Sequence, residues 1–120
     1  MKEESEFLIQ ARFVAWVRHN HPEHMIFHIP NGGQRSKIEG ARMKSLGVLA
    51  GVPDLFIPSL KLFIEMKNTQ GTPSAAQWKI MEQLGEYGYT VAVCNSLANA
   101  QTVFDNALEV HHTVTSTLTE

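Results

Sequence analysis

The stretch from Gly51 to Lys67, GVPDLFIPSLKLFIEMK, constrains the fold of this chain more than any other. Two apolar runs, Leu55-Phe56-Ile57 and Leu62-Phe63-Ile64, flank Pro58-Ser59. Pro and Ser between apolar runs form turns, so the spacing predicts a β-hairpin. The hairpin carries charge where burial would select against it. Asp54 opens the first strand, and Glu65 and Lys67 close the second. In an antiparallel pair the start of one strand lies beside the end of the next, which predicts that Asp54 and Glu65 meet at one sheet edge. Side chains alternate between faces, so Glu65 and Lys67 share a face and Met66 points the other way. Two carboxylates and an ammonium converging at an edge make a site for a hard divalent cation and a polarised water. Taken singly, each element has a plainer reading: Asp after Pro is a common turn residue, and Glu-x-Lys at a strand end is often a solvated face.

A chain of 120 residues makes one domain, long enough to bury about two-thirds of its extended-chain surface. No apolar run approaches the roughly 18 residues of a membrane span, and the opening MKEESE is the opposite of a signal peptide. A single cysteine, Cys94, permits no internal disulfide, in keeping with a reducing cytoplasm. The net charge of −2 does not advertise a polyanionic partner. Its distribution says more. Between Gln34 and Lys44, Arg35, Lys37, Arg42 and Lys44 stand against Glu39 alone, four minus one, or +3, so the remainder sums to −5. Such a basic segment touches phosphate, or else it is an ordinary solvated helix face.

In chain order, Ser5 to Arg18 has Leu8 or Ile9, Phe13, Trp16 and Val17 at three- and four-residue spacing. That is a helix with a core stripe, capped by Ser5, with Glu6 in the first turn where the dipole favours an acid. Glu6 and Gln10, four apart, lie on one face. Pro22 ends the helix region, and Met25 to Ile29 is a short strand. The four histidines at 19, 21, 24 and 28 lack zinc-site spacing and cysteine partners and do not read as a zinc site; His28, beside the 30–33 turn, is either a hydrogen-bonded structural histidine or close to the carboxylate edge. Pro30-Asn31-Gly32-Gly33 is a turn whose backbone N–H groups can face a phosphate. Ser36 to Leu46 suits a short basic helix ending at Gly47. Past the hairpin, Ser74 and Gln77 form a capping box ahead of a helix with Ala76, Ile80, Leu84 and Tyr87 on one face. Tyr89 to Cys94 is a buried strand, and Ser96 to Leu108 a last helix. The Thr-rich residues 109–120 are expected to fray or to add an edge strand.

Pro53-Asp54 followed by Glu65-x-Lys67 resembles the motif of the PD-(D/E)xK nuclease superfamily. The flanks Ile29-Pro30-Asn31-Gly32-Gly33, Gly47 to Asp54 and Phe63-Ile64-Glu65-Met66-Lys67 resemble its VRR-NUC branch, including the small stand-alone versions of phages, over roughly residues 4–108. The resemblance implies a restriction-endonuclease-like α/β core, a mixed central sheet flanked by helices in the order α-β-α-β-β-α-β-α. It implies a DNA endonuclease using Mg²⁺ or Mn²⁺, held by Asp54, Glu65, Glu6 and the backbone carbonyl of Met66. Lys67 is then the residue that orients the attacking water or stabilises the transition state. Glu6-x-x-x-Gln10 matches the family's first-helix pattern, and Gln77 its glutamine near the site. Arg35, Lys37, Arg42, Lys44 and the Asn31-Gly32-Gly33 turn are the candidate phosphate contacts. Branched DNA such as a four-way junction is the expected substrate, cut by a homodimer in the cytoplasm of a bacterial or phage-infected cell. A structure-blind nuclease or nickase, or a non-catalytic nucleic-acid-binding module on the same fold, are the alternatives.

Overall fold

The computed structural model describes residues 5–30 and 36–119. Helix α1 (Glu6–Asn20) is followed by strand β1 (Phe27–His28), helix α2 (Lys37–Ser45), strand β2 (Leu55–Ile57) and strand β3 (Leu62–Met66). Helix α3 (Ala75–Glu86), strand β4 (Thr90–Cys94) and helix α4 (Leu97–Thr119) complete the expected order. The four strands form one mixed sheet in the order β1-β2-β3-β4. β1–β2 and β2–β3 are antiparallel, and β3–β4 is parallel, with α3 as the crossover.

The hairpin is present, closed by a short 3₁₀ turn over Pro58–Leu60, with Pro at its start and Lys61 in the left-handed region at φ 49°. The register pairs Leu55 with Ile64, Phe56 with Phe63 and Ile57 with Leu62. One sheet face therefore carries Leu55, Ile57, Leu62, Ile64 and Met66 against α1 and α4, whose Ile9, Phe13, Val17, Ala100 and Phe104 complete the core. The α1 stripe runs through Ile9, leaving Leu8 exposed. On the other face Phe27, Phe56, Phe63 and Tyr89 form an aromatic row, with Phe56 and Phe63 stacked at 4.2 Å.

The capping box of α3 forms as expected, Ser74 Oγ accepting from the Gln77 N–H and Gln77 Oε1 from the Ser74 N–H. The core side of α3 differs: Met81 is buried, whereas Tyr87 is largely exposed. The largest correction is at the C-terminus. Residues 109–119 neither fray nor form a strand but continue α4 without a break. Val103, Ala107, Val110 and Val114 carry the apolar spacing onward, no Gly or Pro intervenes, and the Thr113 hydroxyl donates to the Glu109 carbonyl. Extending an established helix costs far less than starting one, so the β-branched content does not prevail.

Candidate active site

Continuing the hairpin register by one residue sets Asp54 opposite Glu65, and the structure ties the two positions together. Asp54 Oδ2 accepts a 2.7 Å hydrogen bond from the Met66 N–H, so the carboxylate caps the end of β3. Glu65 lies on the aromatic side of the sheet and is only 2% exposed, while Met66 points into the opposite core. Lys67 Nζ stands 4.0 Å from Glu65 Oε1, and the Gln77 amide donates to the same oxygen at 3.5 Å. Gln77 is therefore placed by its capping role at α3 and reaches the carboxylate edge from there. The cleft beside Asp54 encloses about 190 Å³ between the 50–54 loop and the start of α3, lined by Ser74, Ala76 and Gln77. Gly51 sits there at φ +94°, and a Cβ on it would come within 3.0 Å of the Ala76 carbonyl oxygen. Only glycine allows that loop to press against the helix.

The electrostatics of this edge are poorly compensated. Burial pushes the Glu65 carboxyl up to about 8, and the neighbouring Asp54 carboxylate adds to the shift. Lys67 pulls the other way, and Glu6 contributes a further upward push. Glu65 Oε2 is buried with no hydrogen-bond partner. A buried carboxyl with an unpartnered oxygen is costly to ionise, and a hard cation is the partner its ionised form suits.

Glu6, the first residue of α1, stands at the rim rather than in the buried pair. Its Oε1 lies across Gly71 from Lys67 and Asn68, close to the loop that follows β3. Among the described residues no three His, Cys, Asp or Glu side chains are already closed into a ligand set. Gln10, one turn on from Glu6, reaches His28 instead, its amide 3.0 Å from His28 Nδ1. The same Nδ1 is 2.9 Å from the Asp54 carbonyl, which also accepts from the Ile29 N–H at 2.8 Å. Nδ1 serves one of these partners at a time, donating to the carbonyl when protonated. His28 thus holds the Asp54 backbone, a positioning role whose signal is its place on β1 opposite Leu55. Lys37, Arg42 and Lys44 are exposed on α2. Asn31, Gly32, Gly33 and Arg35 lie outside the described residues.

With this geometry established, comparison with known proteins settles the family. The model of the VRR-NUC domain matches residues 1–98. The chain belongs to the VRR-NUC family. A solved structure titled VRR_NUC domain protein superposes with a TM-score of 0.75 at 24% identity, covering 90% of this chain and 91% of that one. That likeness speaks for the fold. No curated protein matches the sequence. VRR-NUC membership gives the carboxylate edge a nuclease-type fold, and no helix among the described residues is long and apolar enough to cross a membrane.

Proposed function

We propose that this VRR-NUC protein is a divalent-metal-dependent DNA endonuclease selective for branched structures, of which the four-way junction is the leading case. The observation that carries the reading is the buried Asp54–Glu65 pair at one sheet edge, with Glu65 Oε2 unpartnered and Lys67 beside it. A structural carboxylate at 2% exposure is ordinarily fully hydrogen-bonded; this one keeps an open oxygen. The donor set is all oxygen, which suits Mg²⁺ or Mn²⁺ rather than zinc. Asp54, Glu65 and the Met66 carbonyl would hold the ion, with Glu6 at the rim as a further carboxylate. Bound there, the metal supplies charge stabilisation at the phosphate and an acidified water.

The chain's own groups do the remaining work. Lys67, held at the same edge, fixes the attacking water and offsets negative charge that develops on the phosphoryl oxygens. Gln77 keeps Glu65 Oε1 oriented. His28 and Ile29 anchor the Asp54 carbonyl, so the carboxylate does not swing away from the edge. Lys37, Arg42 and Lys44, with Arg35 and the Asn31-Gly32-Gly33 turn, contact phosphates and position DNA without reading its sequence. A symmetric junction presents two equivalent strands, which a two-fold dimer cuts together. Edge strand β4 and the exposed Val110 and Val114 of α4 border a groove of about 660 Å³ that suits a second copy.

The test is Mg²⁺- and Mn²⁺-dependent cleavage of labelled four-way junction, flap, duplex and single-stranded DNA by wild type, Asp54→Ala and Lys67→Ala. Metal-dependent cutting of a branched substrate, lost in both variants, is the expected result. Equal cutting of every substrate removes the selectivity, and binding without cutting at either metal removes the enzyme.

A further inference from the structure

Helix α2 is unlike the other helices in having no buried residue. Helices of small domains hold their place by burying an apolar stripe, and α2 does not. Its apolar residues face outward: Ile38 is 70% and Leu46 81% exposed. At about 100° per residue, Ile38, Ala41, Arg42, Ser45 and Leu46 fall within one arc, with Lys37 and Lys44 along its border. These five arc residues line a shallow groove of about 520 Å³. The inner side of the helix is the half-buried Gly40 and Met43. Two large aliphatic side chains are therefore displayed among three cations.

The position of α2 narrows what covers it. Seven residues, and so eight Cα steps, link Leu46 to Asp54, so the helix end lies at most about 28 Å from the Asp54 backbone. One turn of duplex DNA spans about 34 Å, so a duplex seated at the carboxylate edge passes within reach of α2. The cations suit phosphate, and aliphatic side chains wedged between base steps are a recurring means of unstacking and kinking DNA.

We infer that α2 is a branch-point wedge: Ile38 and Leu46 enter an opened base step while Lys37, Arg42 and Lys44 hold the flanking phosphates. This rests on the nuclease reading and deepens it by assigning structure selectivity to α2 rather than to the carboxylate edge. A continuous duplex must be unstacked for the wedge to enter. A junction, already open at its centre, admits it at lower cost. Selectivity for branched DNA follows without any base-specific contact.

The experiment uses a four-way junction with 2-aminopurine at the branch point, bound by Lys67→Ala in Mg²⁺. Unstacking of the base raises its fluorescence, by about threefold at saturation if the wedge enters. Adding Ile38→Ser and Leu46→Ser, both at highly exposed positions, should leave less than about a quarter of that rise at saturating protein and weaken junction binding by about tenfold. An undiminished rise in the triple variant overturns the wedge, as does a junction bound by Lys67→Ala with no rise, or not bound at all. A change of oligomeric state by light scattering in the Ile38→Ser, Leu46→Ser protein also overturns it, because the patch is then a contact between copies. Cleavage by wild type is scored separately: cutting without a fluorescence rise defeats the wedge and leaves the nuclease, whereas absence of cutting defeats the nuclease reading itself.

Discussion

The two ends of the β2–β3 hairpin place polar groups in very different company. At the turn end, His24 is 8% exposed, yet its Nδ1 is 2.6 Å from Ser59 Oγ and its ring packs edge-on against Phe104. Glu23 lies 3.7 Å from both His21 Nδ1 and His24 Nε2. At the other end, Glu65 is at least as deeply buried but keeps an oxygen with no partner, beside a second carboxylate. At the turn end the neutral His24 ring is packed and hydrogen-bonded. At the carboxylate end, burial and the neighbouring Asp54 oppose ionisation of Glu65, at a cost to the fold. Burial is shared by both; the unmet hydrogen-bonding capacity of Glu65 is what separates them.

That contrast predicts opposite responses to mutation. Lys67→Ala should leave melting within a few degrees of wild type while lowering the cleavage rate by at least about 10²-fold, the scale of losing one charge-stabilising group. Single-turnover kinetics beside a thermal melt checks both halves, and near-wild-type cutting would remove Lys67 from the site. His24→Ala should do the reverse. It opens a void beside Phe104 and strips Ser59 of its partner, a loss of about 2–3 kcal/mol in denaturant unfolding, with cleavage retained below the melting temperature. Glu65→Gln should raise metal-free stability at neutral pH by about 1–2 kcal/mol, because folding of wild type at that pH has to protonate Glu65, whose carboxyl is pushed up to about 8, and the amide carries no such cost. Added Mn²⁺ should then raise the melting temperature of wild type but not of this variant. A Glu65→Gln protein less stable than wild type would show that the edge is not strained.

The same two ends explain what was legible in the sequence. The carboxylate edge could be read because strand alternation and antiparallel pairing are local rules, so Asp54, Glu65 and Lys67 were placed by counting along two short runs. The capping box at Ser74 and Gln77 was equally local, and it carried Gln77 to Glu65. The turn-end cluster was not legible, since His24 meets Ser59 across 35 residues and His111 across a helix that pattern alone ended at Leu108. For His28, nearness to the site was one of two readings, but its partners, Gln10 and the Asp54 carbonyl, come from elements whose meeting depends on the sheet order. The exposed aliphatics of α2 were hidden by the basic residues between them, which in a linear reading account for the whole helix.

The smallest expected effect separates the two ends by pH. Burial lowers the His24 pKa from its ordinary value of 6.5, and the neighbouring His111, His21 and His112 lower it further against the opposing charge of Glu23. The unfolded chain therefore takes up a proton at His24 before the folded chain does. Where the unfolded state binds more protons, stability rises with pH. The contribution of His24 is thus complete above about pH 6.5 and is lost as pH falls from there toward the folded value. Denaturant midpoints measured from pH 7.5 down to 5 should decline for wild type, and the decline should be shallower in His24→Gln, which keeps a polar group near Ser59 but cannot titrate. Parallel slopes in the two proteins would place the proton elsewhere and remove the turn end's claim to be a neutral, fully partnered cluster.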